Sequence, residues 1–277
     1  LELRRVPFRS RLDGHIVLAV FAHPGDESLA CGGTLAMLAD AGARVVVMCA
    51  SHGELGSPDG PVRNDALGQV RAGEIRDAAA ALGVSDVLLL SHPDGELRWA
   101  DITLFNAEIL FFLRHHPTAA VITFGEDGLY WHPDHIGVCE RVSTAVASIG
   151  ADAPPLYFVT MRHGVMSAVV EQARGGGWVP PAQGFWSIVP DSFGLLAEPP
   201  TVEVAVHDWV PRKLAAISAH RTQMGHTHPF STLNPDEARR LLGVEYFRRA
   251  AVPGRADQFL EQRSEEHTSE LQSRFGI

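Results

Sequence analysis

The sequence predicts an α/β protein in which a mostly parallel sheet is covered by helices on both faces, followed by a loop-rich C-terminal part. Short apolar runs alternate with helix-like segments from residue 15 to residue 149. Strands this short and this uniformly apolar are typical of a parallel sheet that is buried on both sides. After Gly150 the pairs of proline and the run of glycines become frequent, which predicts loops.

The first part of the chain provides four strand–helix pairs in order. We predict strands at 15–21, 44–50, 86–90 and 119–124 and helices at 29–41, 65–82, 102–115 and 135–149. Right-handed crossovers would place the helices on both faces and give a Rossmann-like core over about 15–150. Ligands of such sheets bind beyond the carboxyl ends of the strands.

The second part, about 151–262, contains a predicted strand at 201–206 and predicted helices at 211–220 and 235–242. We expect it to complete the sheet and to form a lid or substrate wall, so that 1–262 is a single domain. Residues 263–277 lack apolar periodicity and resemble the translation of a sequencing adapter. We therefore predict a non-native tail there and exclude His267 from the candidate site.

Composition limits the classes of partner. The formal charge of -10 and the lack of any Lys/Arg run exclude a nucleic-acid surface and favour a small molecule. No apolar run approaches the roughly 18 residues of a membrane span. Cys31, Cys49 and Cys139 lack CxxC spacing, so we expect three core thiols in a reducing cytoplasm. The sequence indicates no oligomeric state.

Two loops at the ends of predicted strands contain the residues that could bind a metal ion and catalyse a reaction. His23 and Asp26 follow the first strand, and His132, Asp134 and His135 follow the strand that ends at residue 124. One histidine at a strand end is usually a hydrogen-bonded structural residue. Two such clusters at matching ends favour a zinc centre with three protein ligands and an open position, and Fe²⁺ would accept the same ligand types.

These loops, read as His-Pro-Gly-Asp-Glu and His-Pro-Asp-His, resemble the signatures of the LmbE-like, or PIG-L, family of N-acetylglucosaminyl deacetylases and related amidases. The resemblance covers roughly 15–150 and keeps the order of the motifs. The further matching motifs are Gly53-Glu54-Leu55-Gly56, Arg71-Ala72-Gly73-Glu74, Leu82-Gly83-Val84, Pro93-Asp94-Gly95 and, more weakly, Lys213-Leu214-Ala215-Ala216 with His220 and Gln223.

The resemblance implies a role for each matching residue. It implies His23, Asp26 and His135 as metal ligands, and His132 as the imidazole that stabilises the oxyanion or protonates the leaving amine. Asp134 would orient a neighbouring histidine. The implied reaction is metal-assisted hydrolysis of the N-acyl amide of a small amino-sugar conjugate.

Four further residues allow two interpretations each. Tyr130 is either close to the substrate carbonyl or a partly buried aromatic residue. Arg71 is either a substrate contact or a solvated helix charge paired with Glu74. Glu54 and Asp94 either bind substrate or form turns beside glycine.

Gly25 is the one departure that affects catalysis, because the family places an aspartate there as general base. A glycine cannot accept a proton, and a general base commonly contributes about a hundred- to ten-thousand-fold. Zinc alone lowers the pKa of water to about 7, so weak activity is compatible with Gly25. His132 or Asp134 is a more plausible replacement than Glu27, whose side chain should point away.

Three other functions share some of these features. A thiol-conjugate amidase would use every residue named above. A pseudoenzyme would keep the metal and a sugar pocket but would not turn over. A nucleotide-binding domain is disfavoured because neither GxGxxG nor a P-loop follows the first strand.

Overall fold

The fold is a seven-stranded sheet with helices on both faces. The computed structural model describes residues 12–56, 64–99, 101–225 and 227–262, so the predicted tail at 263–277 lies outside the described residues. The strands are β1 (Ile16–Phe21), β2 (Arg44–Cys49), β3 (Asp86–Leu89), β4 (Thr118–Phe124), β5 (Leu156–Thr160), β6 (Val202–Ala205) and β7 (Val244–Arg249). The helices are α1 (Asp26–Asp40), α2 (Asp65–Leu82), α3 (Ile102–His115), α4 (Gly128–Trp131), α5 (Pro133–Ala147), α6 (Val165–Gly175), α7 (Val210–Ala219), α8 (Arg221–Met224) and α9 (Pro235–Leu242).

The strand order is β3-β2-β1-β4-β5-β7-β6. The first five strands are parallel, and β7 is antiparallel to both β5 and β6. This confirms the predicted mostly parallel α/β fold, including the completion of the sheet by the later part of the chain. Strands β5 and β7 were missed, since β5 follows two prolines and the sequence of β7, VEYFRR, alternates polar with apolar residues.

Local sequence signals explain most helix boundaries. Helix α2 begins after Asn64, whose side chain accepts hydrogen bonds from two backbone N–H groups, and ends at Gly83 with φ of 73°. Helices α1 and α5 begin earlier than predicted, at Asp26 and Pro133, because the polar loop residues are themselves the first helical turn. The histidine and aspartate motifs therefore lie at helix N-termini.

The core consists of the sheet and the inward faces of its helices. All six residues of β1 are buried. The thiols of Cys31, Cys49 and Cys139 are free and buried, which confirms them as core residues. Among the described residues no helix has the length and apolar character that a membrane crossing requires.

The strand order reverses between β1 and β4, which are neighbours in the centre of the sheet. A crevice opens at such a reversal because the connections from the two strands leave toward opposite sides. The loop after β1 carries His23 and the loop after β4 leads to His132. The fold thus brings the two predicted motifs to the same edge.

A kink in α1 is stabilised by residues from the later part of the chain. The backbone of Cys31 is non-helical, with φ of -148°. The N–H groups of Gly33 and Thr34 beyond the kink donate to the carboxylate of Glu245 on β7, at 2.9 and 2.7 Å. Lys213 of α7 completes this buried group with an Nζ–Oε1 distance of 2.6 Å to Glu245.

Candidate metal centre

The structure brings together the three residues predicted as metal ligands. His23 Nδ1 lies 3.3 Å from Asp26 Oδ2, and His135 Nε2 lies 3.4 Å from Asp26 Oδ1. One candidate ligand atom from each residue lies within 4.8 Å of the other two. Two imidazole nitrogens and one carboxylate at these distances can converge on a single divalent ion.

His135 is held rigidly in an orientation suited to metal binding. Its ring stacks on Phe124 with centroids 3.9 Å apart and an interplanar angle of 8°. Its Nδ1 lies 3.1 Å from the carbonyl oxygen of Gly128, which assigns the proton to Nδ1. The other nitrogen, Nε2, is buried and has no hydrogen-bond partner. A buried nitrogen lone pair without a hydrogen-bond donor is suited to coordinate a metal ion.

The second nitrogen of His23 faces two carboxylates. Its Nε2 lies 3.0 Å from Asp94 Oδ1 and 3.1 Å from Asp134 Oδ2. Burial lowers the pKa of His23, but hydrogen bonds to Asp134, Asp26 and Asp94 outweigh burial and raise the pKa well above its usual value. A carboxylate behind a ligating imidazole is the usual arrangement around protein-bound zinc.

Asp134 is fully occupied by hydrogen bonds. Its Oδ2 accepts from the N–H of Gly95 at 2.8 Å, and its Oδ1 accepts from the N–H of Leu97 at 3.0 Å. With His23 as the third partner, this buried carboxylate links the loops after β1, β3 and β4. A second set of candidate ligands, His23, His132 and Asp134, also exists. It fits a metal less well because Asp134 already has these partners.

His132 caps α5 and faces the same centre. Its Nδ1 accepts from the N–H of Asp134 at 3.2 Å, which leaves the proton of the neutral ring on Nε2. Its ring centroid lies 5.1 Å from that of His23 and 4.6 Å from that of His135. Burial, followed by the charges of His135 and His23, lowers the pKa of His132 to about 3. The ring is therefore a neutral hydrogen-bond donor.

Tyr130 forms an aromatic wall beside these histidines. Its ring lies edge-on to His135 at 5.2 Å and to His132 at 5.8 Å. On its other side it packs against Phe185 and Phe193 from the loop-rich part of the chain. The later part of the chain thus packs against the candidate site, and its role as a lid or substrate wall stays a prediction.

Arg71 is buried, so its interpretation as a solvated helix charge paired with Glu74 is wrong. Its guanidinium donates to the carbonyl oxygens of Gly53 at 2.6 Å and Pro24 at 2.7 Å. A side chain at Gly53 would overlap the guanidinium, since a Cβ there would be 2.3 Å from Nη1. Glu74 instead accepts from Thr222. The role of Arg71 as a substrate contact stays a prediction.

Glu54 and Asp94 join two loops at the edge of the centre. Asp94 Oδ2 accepts from the N–H of Leu55 at 2.7 Å, and Glu54 Oε1 accepts from the N–H of Asp94 at 3.2 Å. Burial raises the pKa of Asp94, but the hydrogen bond with His23 and its charge outweigh burial and lower the pKa to about 2. The carboxylate of Asp94 contacts His23 of the candidate metal centre, whereas the carboxylate of Glu54 contacts the backbone of Asp94.

Gly25 lies beside the imidazole of His220. Gly25 has a left-handed backbone with φ of 116°, and a Cβ there would be in ordinary contact with the ring of His220 at 3.7 Å. Glu27 does not fill the position, because its buried carboxylate accepts from Ser28 Oγ and from the N–H of Gly25 and lies 2.9 Å from His220 Nε2.

The Glu27–His220 pair is the part of the site that sequence reasoning missed. The late motif contains His220 and Gln223. Their partners, Glu27 and Gly56, lie 193 and 167 positions earlier in the chain. Gln223 Nε2 donates to the carbonyl oxygen of Gly56 at 2.7 Å. An acidic residue in the first turn of a helix, as Glu27 is, is common and gives no signal of a distant partner.

Comparison with known proteins identifies relatives of the whole arrangement. A sequence profile of PIG-L, described as GlcNAc-PI de-N-acetylase, matches residues 18–146. A 1D-myo-inositol 2-acetamido-2-deoxy-alpha-D-glucopyranoside deacetylase of Thermobispora bispora is 32% identical over 86% of this chain and 89% of its own. The corresponding enzyme of Acidothermus cellulolyticus is 30% identical over 83% of this chain and 87% of its own.

Solved structures agree on the fold. The N,N'-diacetylchitobiose deacetylase of Pyrococcus horikoshii superposes with a TM-score of 0.60 at 21% identity, covering 86% of this chain and 84% of its own. Together with the matched motifs and the extent of the sequence similarity, the comparisons show that this chain belongs to the PIG-L, or LmbE-like, family.

Proposed function

We propose that this protein is a metal-dependent deacetylase that hydrolyses the N-acyl amide of an N-acetylglucosamine-type conjugate, at a low rate because Gly25 stands where the base belongs. The proposal is supported by the deacetylases among its relatives and by the candidate metal centre. The free buried thiols fit a reducing compartment, so we place the protein in the cytoplasm.

One observation carries the proposal: His135 Nε2 is buried, unpartnered and aimed at Asp26 beside His23. Leaving a buried nitrogen without a partner costs about 1–3 kcal/mol. A metal ion held by His23, Asp26 and His135 would remove that cost. Zinc suits two imidazoles and a carboxylate, and Fe²⁺ is the alternative ion. Bound there, the ion would polarise the acyl carbonyl and activate water.

His132 would then stabilise the charge that develops on the carbonyl oxygen. Its neutral ring carries a proton on Nε2 and lies beside both candidate ligand histidines, with centroids 5.1 Å from His23 and 4.6 Å from His135. A preorganised neutral donor of this kind does not have to lose or gain a proton to stabilise an oxyanion. Burial lowers the pKa of His132, which favours the neutral donor over the imidazolium that protonation of the leaving amine would need.

The other predicted site residues would position these groups and the substrate. Asp134 would hold His23 in the orientation that presents Nδ1 to the metal. Tyr130 would form the wall against the acyl group. Arg71, Glu54 and Asp94 would shape the opposite wall through the loops that they join.

Among the described residues, the two carboxylates considered as replacement bases already have partners. Glu27 and Asp134 have three hydrogen-bond partners each, and His132 presents a proton rather than a lone pair. This favours a second candidate function, a sugar-binding pseudoenzyme that retains the metal. A thiol-conjugate amidase of the same family would differ only in substrate.

The experiment measures acetate release from a panel of substrates by protein loaded with zinc or Fe²⁺ or treated with EDTA. The panel holds N-acetylglucosaminyl-inositol, N,N'-diacetylchitobiose and an N-acylated thiol conjugate. The natural chain and the Gly25→Asp variant are run side by side, with His135→Ala as the metal-binding control. Calorimetric titration with zinc measures binding separately from turnover.

Each outcome assigns a function. Metal-dependent release by the natural chain supports the deacetylase. Release by the Gly25→Asp variant alone supports the pseudoenzyme, and release from the thiol conjugate alone supports the amidase. Zinc binding without release from any conjugate by either form would overturn the amino-sugar substrate. Full zinc affinity in His135→Ala would overturn the ligand set.

A further inference from the structure

The buried pair of Glu27 and His220 lies against the loop of the candidate metal centre. The two residues have 1% and 0% of their surface exposed. The ring of His220 faces Gly25, with Cγ, Nδ1 and Cδ2 at 3.7, 3.8 and 3.9 Å from the position of a Cβ there. Gly25 directly precedes Asp26, so this imidazole lies beside a residue that is bonded to a candidate ligand.

Glu27 determines which nitrogen of His220 carries the proton. Its Oε1 lies 2.9 Å from Nε2 of His220 and accepts from Oγ of Ser28 at 2.6 Å, while its Oε2 accepts from the N–H of Gly25 at 2.9 Å. An ionised carboxylate only accepts hydrogen bonds, so Nε2 of the ring donates to it. The other nitrogen of the neutral ring, Nδ1, therefore keeps its lone pair.

This lone pair on Nδ1 of His220 is buried and has no hydrogen-bond partner among the described residues. A buried nitrogen in that state costs about 1–3 kcal/mol, and it is found where the group has a catalytic role or binds water. Gly25 is half-buried, so solvent reaches the loop at this point. A Cβ at Gly25 would be in ordinary contact with the ring, so a water molecule of similar size can take that position and donate to Nδ1.

Two histidines around the loop present such a lone pair, and the two face different neighbours. Nε2 of His135 lies 3.4 Å from Asp26, where it suits a metal ion. Nδ1 of His220 lies instead beside Gly25, and a carboxylate holds the opposite nitrogen of its ring. An imidazole oriented by a carboxylate on one nitrogen and open on the other is the arrangement of a general base.

We propose that His220 is the proton acceptor of the natural chain, acting through one water molecule at the position that a side chain of residue 25 would fill, with Glu27 as its positioning residue. The inference rests on the proposed function. It names the group that makes turnover possible without a carboxylate at position 25.

The proton follows a closed path in this reaction. As the attacking water forms its C–O bond to the acyl carbon, its proton passes through the bridging water to Nδ1 of His220. Glu27 stabilises the resulting imidazolium through Nε2. When the C–N bond breaks, its electron pair leaves with the amine nitrogen, and Nδ1 returns the proton to that nitrogen through the same water.

The test changes His220 in two backgrounds, the natural chain and Gly25→Asp, whose carboxylate supplies another acceptor. His220→Gln keeps a side-chain N–H for Glu27 but has no basic nitrogen. His228→Gln is the matched control. His228 is also buried with no partner for Nδ1 among the described residues, but its ring lies beside Phe230 rather than the loop.

Kinetic and binding measurements are made on each protein. Acetate release from N-acetylglucosaminyl-inositol and N,N'-diacetylchitobiose gives kcat for the zinc-loaded forms. Calorimetry gives zinc affinity, and thermal denaturation gives the melting temperature. The ¹⁵N chemical shifts of the His220 ring are measured in the zinc-free natural chain, so this measurement depends neither on turnover nor on the folding of a variant.

We expect His220→Gln to lower kcat of the natural chain about a hundredfold, the lower end of a general-base contribution, because a water molecule intervenes. In Gly25→Asp the same change should leave kcat nearly unchanged, since the carboxylate accepts the proton there. Zinc affinity should not change in either background. His228→Gln should keep kcat in both, and the ¹⁵N shifts should show a protonated Nε2 and an unprotonated Nδ1 in His220.

Equal losses of kcat in the two backgrounds would give His220 a structural role and overturn the proposal, as would a ring protonated on Nδ1. Full turnover by His220→Gln in the natural chain would overturn it while leaving deacetylation intact. Release by Gly25→Asp but not by the natural chain would do the same. If neither of these two forms releases acetate, the proposal and the proposed function both fail.

Discussion

The imidazole of His220 lies against Gly25 at the point where a side chain would begin, with Cγ 3.7 Å and Nδ1 3.8 Å from the position of a Cβ. Glu27 holds Nε2 of the same ring, and Nδ1 is buried without a partner. The carboxylate of an aspartate at position 25 would be a hydrogen-bond partner for Nδ1 of His220. The ring of His220 therefore borders the position at which a Gly25→Asp variant would begin its side chain.

The first prediction is that Gly25→Asp increases acetate release about a hundred- to ten-thousand-fold, because it restores a proton acceptor beside the metal centre. The substitution should also lower the free energy of unfolding by about 1–2 kcal/mol, because Gly25 has a left-handed backbone that a residue with a side chain adopts unfavourably. Steady-state kinetics and urea denaturation measure the two effects. Gly25→Asn has the same shape without the base, and an equal gain in Asn would contradict a proton-transfer role.

The second prediction concerns Asp134, which links His23 to the loop after β3. Asp134→Asn removes the charge behind the ligating imidazole and should weaken zinc affinity about 10- to 100-fold. Competition with a chromogenic chelator measures the affinity, and circular dichroism confirms folding. Asp152→Asn, on the exposed surface, is the control. Unchanged zinc affinity in Asp134→Asn would show that metal binding by His23 does not depend on the negative charge of Asp134 beside its Nε2.

The third prediction concerns the buried Lys213–Glu245 pair. Lys213→Met leaves the carboxylate of Glu245 buried without its counter-ion, and this should lower the free energy of unfolding by about 3–5 kcal/mol. Arg239→Met breaks an exposed pair with Asp208 and should cost less than about 1 kcal/mol. Urea denaturation compares the two. Similar losses would mean that the buried carboxylate of Glu245 does not need the charge of Lys213.

The fourth prediction is a pH dependence of the metal-free protein. The pKa of Asp94 is lowered to about 2 in the fold, so its stabilisation is complete above its unfolded pKa and is lost as pH falls through the folded pKa. Asp94→Asn should therefore cost about 2 kcal/mol at pH 7, and the cost should shrink between about pH 4 and pH 2. Denaturation in EDTA at several pH values measures it. A cost that stays constant with pH would exclude the ionised carboxylate as its source.

The sequence predicted the sheet, most helices and the proximity of the candidate metal ligands, because these depend on local patterns and on the order of the strands. The apolar runs predicted β1, β2 and β4, and the order of loops at strand ends placed His23 near His135. Helix α3 and helix α9 have the predicted bounds.

The remaining features depend on contacts between distant parts of the chain. The pairing of Glu27 with His220 spans 193 positions, and the contact of Glu245 with Gly33 spans 212. The burial of Arg71 follows from the close approach of Gly53, which no periodicity shows.

The stack of His135 on Phe124 has a consequence for how the metal arrives. A ring fixed by an aromatic face and by a carbonyl oxygen has almost no rotamer freedom left to lose on coordination. Asp26 is the first residue of α1, and its carboxylate accepts a hydrogen bond from the N–H of His23 at 2.8 Å. The imidazole and the carboxylate are thus held in place before any ion arrives, so coordination should cost little conformational entropy.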